Sequence, residues 1–499
     1  MIEALRLAGR DAARLREIGR VASRFGVDML MTRLGLSDGG TPREETYSDD
    51  LPRRTRLALE ALGPTYVKLG QILATRTDLL APEWIAELEH LHSSAPKLDF
   101  EDLRPAVEQA IGQPVEQAFA SFDPVPLAAA SMAQVHRAVL HDGTQVVLKI
   151  RRPGVRALME ADLRLIARLA SVVEAASADA RRFAPRAMVR QLAEAVLEEL
   201  DFTTEGRNAD RMRADFSDDP RVVVPAIHWE LSSEALLVMD YVEGTPPRDA
   251  AVLRAAGIDP AAIAALGADI VLDMVLVNGR FHGDPHPGNL LCLTGDRIAL
   301  LDLGMIGHVS PLRREEFVSF VQALSTGDAA LLAEVLSRWS LHGDVPPERI
   351  EEAAEQLIRR QGGGPLVLAA IVSDFMALMR REGMAMPPDL LLIFKALVTI
   401  DGVLTAIEPG FDLSAAMRRA SGRIALARLS PEHWMPIVRA LTWELARIGD
   451  DAPRLVRALV RRLEEPRPTE AVTLRRGSAL VAGSVFVGSL LVATAILLR

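Results

Sequence analysis

Asp284 and Asn289 stand five residues apart in the stretch HGDPHPGN, residues 282–289. Metal-assisted phosphoryl transfer uses a carboxylate and an amide at that spacing. The Asp positions the acceptor hydroxyl, and the Asn amide oxygen holds a magnesium ion. A second magnesium carboxylate must then follow shortly downstream, after a hairpin. Asp302, in Asp302-Leu303-Gly304, supplies it 13 residues past Asn289. The apolar run IALL leads into it, so a strand is expected to deliver it, and Gly304 lets the chain turn away. The reaction also needs a strand lysine on the α- and β-phosphates. VVLKI places Lys149 on such a strand. Alone, Lys149 would read as a solvated edge residue; in order with Asp284, Asn289 and Asp302 it completes a set for ATP and Mg2+.

The same stretch offers a competing reading. His282 and His286 lie at i and i+4, the spacing of helical zinc sites. Pro285 and Pro287 remove two amide donors and disfavour helix in the residues before them. Without a helix the spacing puts no two ligands on one face, so zinc is set aside. The histidines then read as scaffold, with His282 bracing the loop.

Elements must bring these side chains together. AQVHRAVLHDGTQVVLKIRRPG, residues 133–154, holds two strand-like runs around Asp142-Gly143, a hairpin signal. RVVVPAIHW and EALLVMDYV read as further strands. LLCL, TGD and RIALLDLG read as a short hairpin carrying the chain from Asn289 to Asp302. Helical spacing covers residues 3–36, then 51–115 with breaks at Pro64, Pro82 and Pro96, then 155–215 and most of the chain from about 248. The acidic helical stretch EELDFTTEGRN, 198–208, offers Lys149 four partners: Glu198, Glu199, Asp201 and Glu205.

Two features depart from an ordinary protein kinase. Where a kinase carries a Gly-rich loop over the phosphates, this chain has PLAAASMAQVH, with Ala128, Ala129, Ala130 and Ser131 in place of glycines. Alanine lacks free access to φ > 0, so this loop is expected to meet the nucleotide differently. After Asp302 a helix start falls near Ser310-Pro311, and no A-P-E sequence follows. That leaves no room for a peptide-binding activation segment.

Together these residues resemble the UbiB/AarF family of atypical kinase-like proteins, tied to ubiquinone and related prenyl-quinone biosynthesis. The resemblance runs from about residue 50 to 420. The family's Lys-x-Gly-Gln motif appears as Lys68-Leu69-Gly70-Gln71, and its Ala-rich loop as residues 128–131. Its strand lysine falls on Lys149, its Glu-x-Asp motif on Glu199-Leu200-Asp201, and its ion-pair glutamate on Glu205. The HGDPHPGN loop is matched in full, the metal aspartate falls on Asp302, and KALVTIDGVLTAIEPGFD (395–412) is similar to a late helical signature.

The resemblance implies an α+β, bilobal protein-kinase-like fold with an N-terminal helical extension; to this the chain's own sequence adds a C-terminal transmembrane helix, one span where bacterial members of the family often have two. Its expected parts are an extension over 1–115, a small lobe over 116–245, a helical large lobe over 246–460, a linker over 461–476 and a span over 477–498. It implies catalytic roles for Asp284, Lys149, Glu205, Lys68 and Gln71. It implies nucleotide contacts from Ala128, Ala129, Ala130, Ser131, Lys149, Glu199 and Asp201, and metal ligands in Asn289 and Asp302. The Lys68–Gln71 segment is expected to fold over the active site. The function implied is a membrane-anchored ATPase or small-molecule kinase supporting quinone-precursor handling. A nucleotide-gated assembly protein is the alternative. A soluble-metabolite kinase and a protein kinase are disfavoured, the first by Lys68–Gln71 and the Ala-rich loop, the second by the short segment after Asp302.

Bulk properties suggest where such a protein works. Its 499 residues predict two or three domains. A net charge of −10 argues against a nucleic-acid partner. The single cysteine, Cys292, lies in an apolar run, reads as a small buried hydrophobe, and fits a reducing compartment. The N-terminal residues lack the apolar core of a signal peptide. Gly477–Leu498 holds 22 residues without a charge. As a helix it spans ~33 Å, enough for a bilayer core of ~30 Å. Arg461, Arg462, Arg467, Arg475 and Arg476 precede it and only Arg499 follows, which places residues 1–476 in the cytoplasm. Ser484 and Gly488 offer a small-residue face for a helix-mediated membrane dimer. Membrane lipid and quinone precursors or quinone-biosynthesis proteins are the expected partners.

Overall fold

The computed structural model describes residues 9–25, 51–74, 80–88, 90–91, 96–176, 185–339, 345–361, 388–411 and a few isolated positions. The chain divides into two units, 1–424 and 425–499, and nearly all described residues belong to the first. The expected linker and the expected span at 477–498 lie outside the described residues.

Helices α1 (Gly9–Arg24), α2 (Leu51–Leu62), α3 (Pro64–Ala74) and α4 (Pro82–Leu88) come first, then α5 (Phe100–Ile111) and the short α6 (Val115–Ala118). Pro64 and Pro82 each open a helix, where a fixed φ and a missing N–H cost nothing. A five-stranded antiparallel sheet follows. Its path runs β1 (Ser121–Phe122), β3 (Ala133–Val139), β4 (Gln145–Arg151), β6 (Leu236–Asp240), and β2 (Ala128–Ala129) also pairs with β3. The β3–β4 hairpin turns at Asp142-Gly143 as the sequence suggests. Gly143 takes φ 90°, and Thr144 N donates to Asp142 Oδ1 at 2.9 Å.

Register decides what Lys149 can do. It pairs with Val135 on one side and Leu237 on the other, so it lies on an interior strand rather than at an edge. Leu148 and Ile150 pack with Phe100 and Leu103 of α5. Strand alternation turns Lys149 to the opposite face.

Between β4 and β6 the chain forms α7 (Val155–Ala176), α8 (Pro185–Glu199), α9 (Phe202–Asp215) and the two-residue β5 (Val222–Val223). Ile18, Tyr66, Met159, Leu163, Leu192 and Val196 build a core shared by α1, α3, α7 and α8. Asp162 is fully buried within it. Its carboxylate accepts from Arg14 Nε at 2.7 Å, Arg14 Nη2 at 2.9 Å and Thr65 Oγ1 at 3.0 Å. One carboxylate thus fastens α1 and α3 to α7.

The large lobe contains α10 (Ala250–Ala255), then α11 (Pro260–Asp273), which runs into a π-turn at Met274–Asn278. Strands β7 (Arg280–His282), β8 (Leu290–Leu293), β9 (Arg297–Leu300) and β10 (Ile306–His308) follow. Helices α12 (Pro311–Thr326), α13 (Ala329–Trp339), α14 (Pro347–Gln361) and α15 (Pro388–Ile407) complete it. β8 and β9 form the expected hairpin, with β5 parallel to β9, and β7 pairs with β10. Phe317, Phe320, Trp339, Phe375 and Phe394 knit α12, α13 and α15 together. Cys292 is buried in β8 as expected, and burial pushes its thiol up to about 12. Among the described residues, Pro260–Asn278 and Asp389–Ile407 are long and apolar enough to cross a membrane. Both are more than half buried and build the core of this lobe, which makes them weak indicators of a membrane.

Candidate active site

The site gathers where β4, α9 and the segment after β9 meet. Lys149 Nζ lies 2.9 and 2.7 Å from the two carboxylate oxygens of Glu205 and 3.3 Å from Asp302 Oδ1. Asp201 N-caps α9, its Oδ1 accepting from Thr203 N at 2.9 Å, and so fixes the helix that presents Glu205. Of the four acidic side chains open in the sequence, Glu205 is the one on Lys149.

Charges in this cluster are unequal. Burial opposes the ammonium of Lys149, but Glu205 and Asp302 outweigh it and raise its pKa. Burial pushes Glu205 up to about 7 against the pull of Lys149, and Asp302 adds to the rise. Lys149 holds Asp302 below the usual carboxylate range, against burial of the group. Two carboxylates therefore face one ammonium. Asp302 keeps its side chain half exposed to the cleft. A half-open carboxylate beside excess negative charge suits a hard divalent cation.

The stretch 282–289 is non-helical, as its prolines require. His282 is 2% exposed. Asp284 N donates to His282 Nδ1 at 3.2 Å, and His282 Nε2 donates to Leu301 O, also at 3.2 Å. These bonds assign the neutral tautomer protonated on Nε2. Burial lowers the His282 pKa, which keeps the ring neutral. The brace expected of His282 is therefore present. The turn is closed by His286 N to Asp284 O at 2.7 Å, Asn289 N to His286 O at 2.8 Å and Asn289 Nδ2 to Asp284 O at 3.0 Å. With its amide nitrogen committed, Asn289 has Oδ1 left for a cation.

Asp302 adopts the left-handed region, φ 46°, which a short polar side chain tolerates better than most. Gly304 N donates to Asp302 Oδ1 at 3.4 Å, and a Cβ at 304 would stand 3.2 Å from that oxygen. Glycine there keeps the carboxylate clear.

The Ala-rich stretch is a hairpin. Ala128 and Ala129 pair with Val135 and Gln134, and Ala130 N donates to Ala133 O at 2.8 Å. None of residues 128–131 needs a positive φ. Arg152 Nε donates to Ala130 O at 2.7 Å and ties the turn to the end of β4. The loop is thus a short bonded turn, built without the freedom of glycines.

Lys68 and Gln71 diverge. Lys68 Nζ, on α3, lies 2.6 Å from Glu199 Oε2 at the end of α8. Gln71 Nε2 donates to Leu91 O at a long 3.4 Å. Gly70 lets α3 pack closely, since a Cβ there would come 2.3 Å from Leu91 Cδ1. Lys149, Glu205 and Asp302 are therefore in direct contact, and His282 joins Asp284 to the same segment. Lys68 and Glu199 pair with each other, while Asp201 and Gln71 bond elsewhere. One neighbour was not expected: Lys395 of α15 brings Nζ to 3.9 Å from Asp284 Oδ1.

An antiparallel sheet carrying a lysine bound to a helical glutamate, above a helical lobe with loop carboxylates, defines a kinase-like fold. Residues 90–336 match the ABC1 atypical kinase-like domain and residues 365–412 the UbiB helical domain. The chain is 32% identical over 514 residues to "Probable protein kinase UbiB" of Xylella fastidiosa (strain M23), covering 96% of this chain and 92% of that protein. It is 33% identical over 479 residues to the protein of the same name from Xanthomonas campestris pv. campestris (strain B100), covering 91% and 86%. The chain belongs to the UbiB family of atypical kinase-like proteins. Among solved structures, the complex of Rv3197 with erythromycin from Mycobacterium tuberculosis matches with a TM-score of 0.54 and 22% identity, over 72% of this chain and 93% of that one. That likeness is one of fold alone.

Proposed function

We propose that this protein is a membrane-associated phosphotransferase or ATPase that uses Mg-ATP in prenyl-quinone biosynthesis, ubiquinone above all. The observation that carries the chemistry is the contact of Lys149 with both Glu205 and Asp302. In this reading Lys149 holds the α- and β-phosphates while Glu205 fixes its position. Asn289 Oδ1 and Asp302 hold magnesium, which neutralises charge on the phosphates. Asp284 orients the acceptor oxygen and takes its proton. A new bond forms from that oxygen to the γ-phosphorus, the bond from phosphorus to the bridging oxygen breaks, and ADP leaves. With water as acceptor the product is inorganic phosphate. The hairpin at Ala128–Ser131 covers the phosphates, and Lys68, Gln71, Glu199 and Asp201 order the rim.

The names of the relatives support the quinone assignment. The early start of α12 at Pro311 favours a small or lipid acceptor over a peptide. The uncharged run at 477–498 supports membrane anchoring, with lipid and quinone precursors as partners. The test is Mg-dependent ATP turnover by the full chain, with and without lipid vesicles and phenolic quinone precursors. Turnover absent from the wild type, or equal in wild type and Asp302→Asn, would sink this function.

The Lys68–Glu199 contact favours a second reading, because it joins the N-terminal helices to the small lobe and gives a nucleotide something to switch. A nucleotide-gated assembly protein would still support quinone synthesis when Asp284→Asn binds ATP without hydrolysing it. Failure of that variant, folded and nucleotide-bound, counts against the gate.

A further inference from the structure

Between Asp284 and Asn289 the loop carries Pro285, His286, Pro287 and Gly288, and so no lysine or arginine. His286 Nδ1 accepts from Gly288 N at 3.2 Å and is engaged within its own turn. Phosphoryl transfer gathers negative charge where the acceptor meets the γ-phosphorus, beside Asp284, and preorganised cations there are worth a large part of the rate. A cation does stand at that place, supplied from elsewhere in the chain.

Lys395 Nζ lies 3.9 Å from Asp284 Oδ1, and both side chains are about half exposed. Its setting makes the contact more than a chance surface pair. Lys395 is the only basic residue of α15 and the one exposed side chain among residues 389–400. Phe394 and Ala396 beside it are buried at 2% and 1%. Phe394 packs on Phe317 and Phe320, and Arg313 Nε holds Asp389 at the start of α15 at 3.1 Å. The helix is fixed at its start and along its buried face, and it presents a single ammonium to the loop.

We propose that Lys395 is a second cation of the transfer site, holding the Asp284 carboxylate and meeting the negative charge that collects beside it during transfer. This rests on the phosphoryl-transfer reading above. Helix α15 then belongs to the active site and not only to the scaffold.

The experiment compares full-length wild type, Lys395→Met, Lys395→Arg and Asp284→Asn in Mg-ATP turnover and thermal melting. The expected result is a kcat about 100-fold lower in Lys395→Met. The KM for ATP and the Tm stay close to wild type, and Lys395→Arg recovers most of kcat. Wild-type kcat in Lys395→Met, with Asp284→Asn inactive, overturns the assignment of Lys395 and leaves the transfer reading standing. Equal losses in the Met and Arg variants with a lowered Tm make Lys395 a folding residue and also overturn it. Full turnover in Asp284→Asn removes the transfer reading itself, and Lys395 with it.

Discussion

Asp284 and Asp302 are joined through one imidazole. His282 accepts from the Asp284 backbone and donates to the carbonyl of Leu301, the residue before Asp302. The β7–β10 pair reinforces the link through Gly283 N to Met305 O at 2.8 Å. His282→Ala would strand a backbone donor and a backbone acceptor in the interior. We expect kcat to fall about 10- to 100-fold, the range seen when a residue that orients reactive ligands is lost. Steady-state ATP turnover checks this, and a kcat within twofold of wild type would show that the brace is dispensable.

The pH dependence of stability should carry the mark of Glu205. Its pKa rises from 4.5 to about 7 in the fold, first through burial. Between those values the folded chain holds a proton that the unfolded chain has released. Its contribution is full below 4.5 and is lost as pH rises through about 7. Lys149, with its pKa raised, stays charged throughout that window. Melting curves from pH 5 to pH 8 should therefore decline more for wild type than for Glu205→Gln. Parallel curves would contradict the assignment.

Lys149→Met should cost more stability than its contacts suggest. It leaves Glu205, 6% exposed, without its counter-charge and next to Asp302. Breaking one side of such a buried pair costs about 3–5 kcal/mol, while replacing both sides by apolar groups costs far less. The double variant Lys149→Met, Glu205→Leu should melt above the single one. The reverse order in denaturant titration would mean that Glu205 is not buried as described.

Asp162→Ala should release the N-terminal helices. Arg14, 10% exposed in its side chain, would lose its buried carboxylate and keep only Glu17, half exposed, and the Leu62 carbonyl, while Thr65 would lose its acceptor. The expected loss is at most about 3 kcal/mol, the low end for breaking a buried pair, because Glu17 still faces Arg14, with early proteolytic cutting around α1 and α3. Lys68, carried by α3, should lose its hold on Glu199, so ATP turnover should change in the same variant. Unchanged stability and cutting would show that the hydrophobic core alone docks these helices.

Much of the site was legible because its spacing is chemical. The order Lys149, Asp284, Asn289, Asp302 needs no fold to suggest phosphoryl transfer, and the prolines at 285 and 287 remove the helix that zinc would need. The Asp142-Gly143 hairpin was equally plain. Other parts were hidden for physical reasons. β7 and β10 have three residues each and β2 has two, too short for strand alternation to register. The Arg14–Asp162 pair spans 148 residues, and no local pattern announces it. Asp201 was given a nucleotide role by the family's Glu-x-Asp motif; its capping of α9 was a second signal, since an Asp just ahead of an amphipathic stretch also marks a helix start. Lys395 was read only as part of a helical signature; a lone lysine in an apolar helix was the available clue.

The left-handed backbone of Asp302 bears on how an inactive form should be made. At φ 46° an alanine would add conformational strain to the loss of charge, so a dead enzyme could be a distorted one. Asparagine accepts that conformation and keeps the shape of the side chain. Asp302→Asn is thus the cleaner probe: it takes away one carboxylate charge and leaves the loop in its native form.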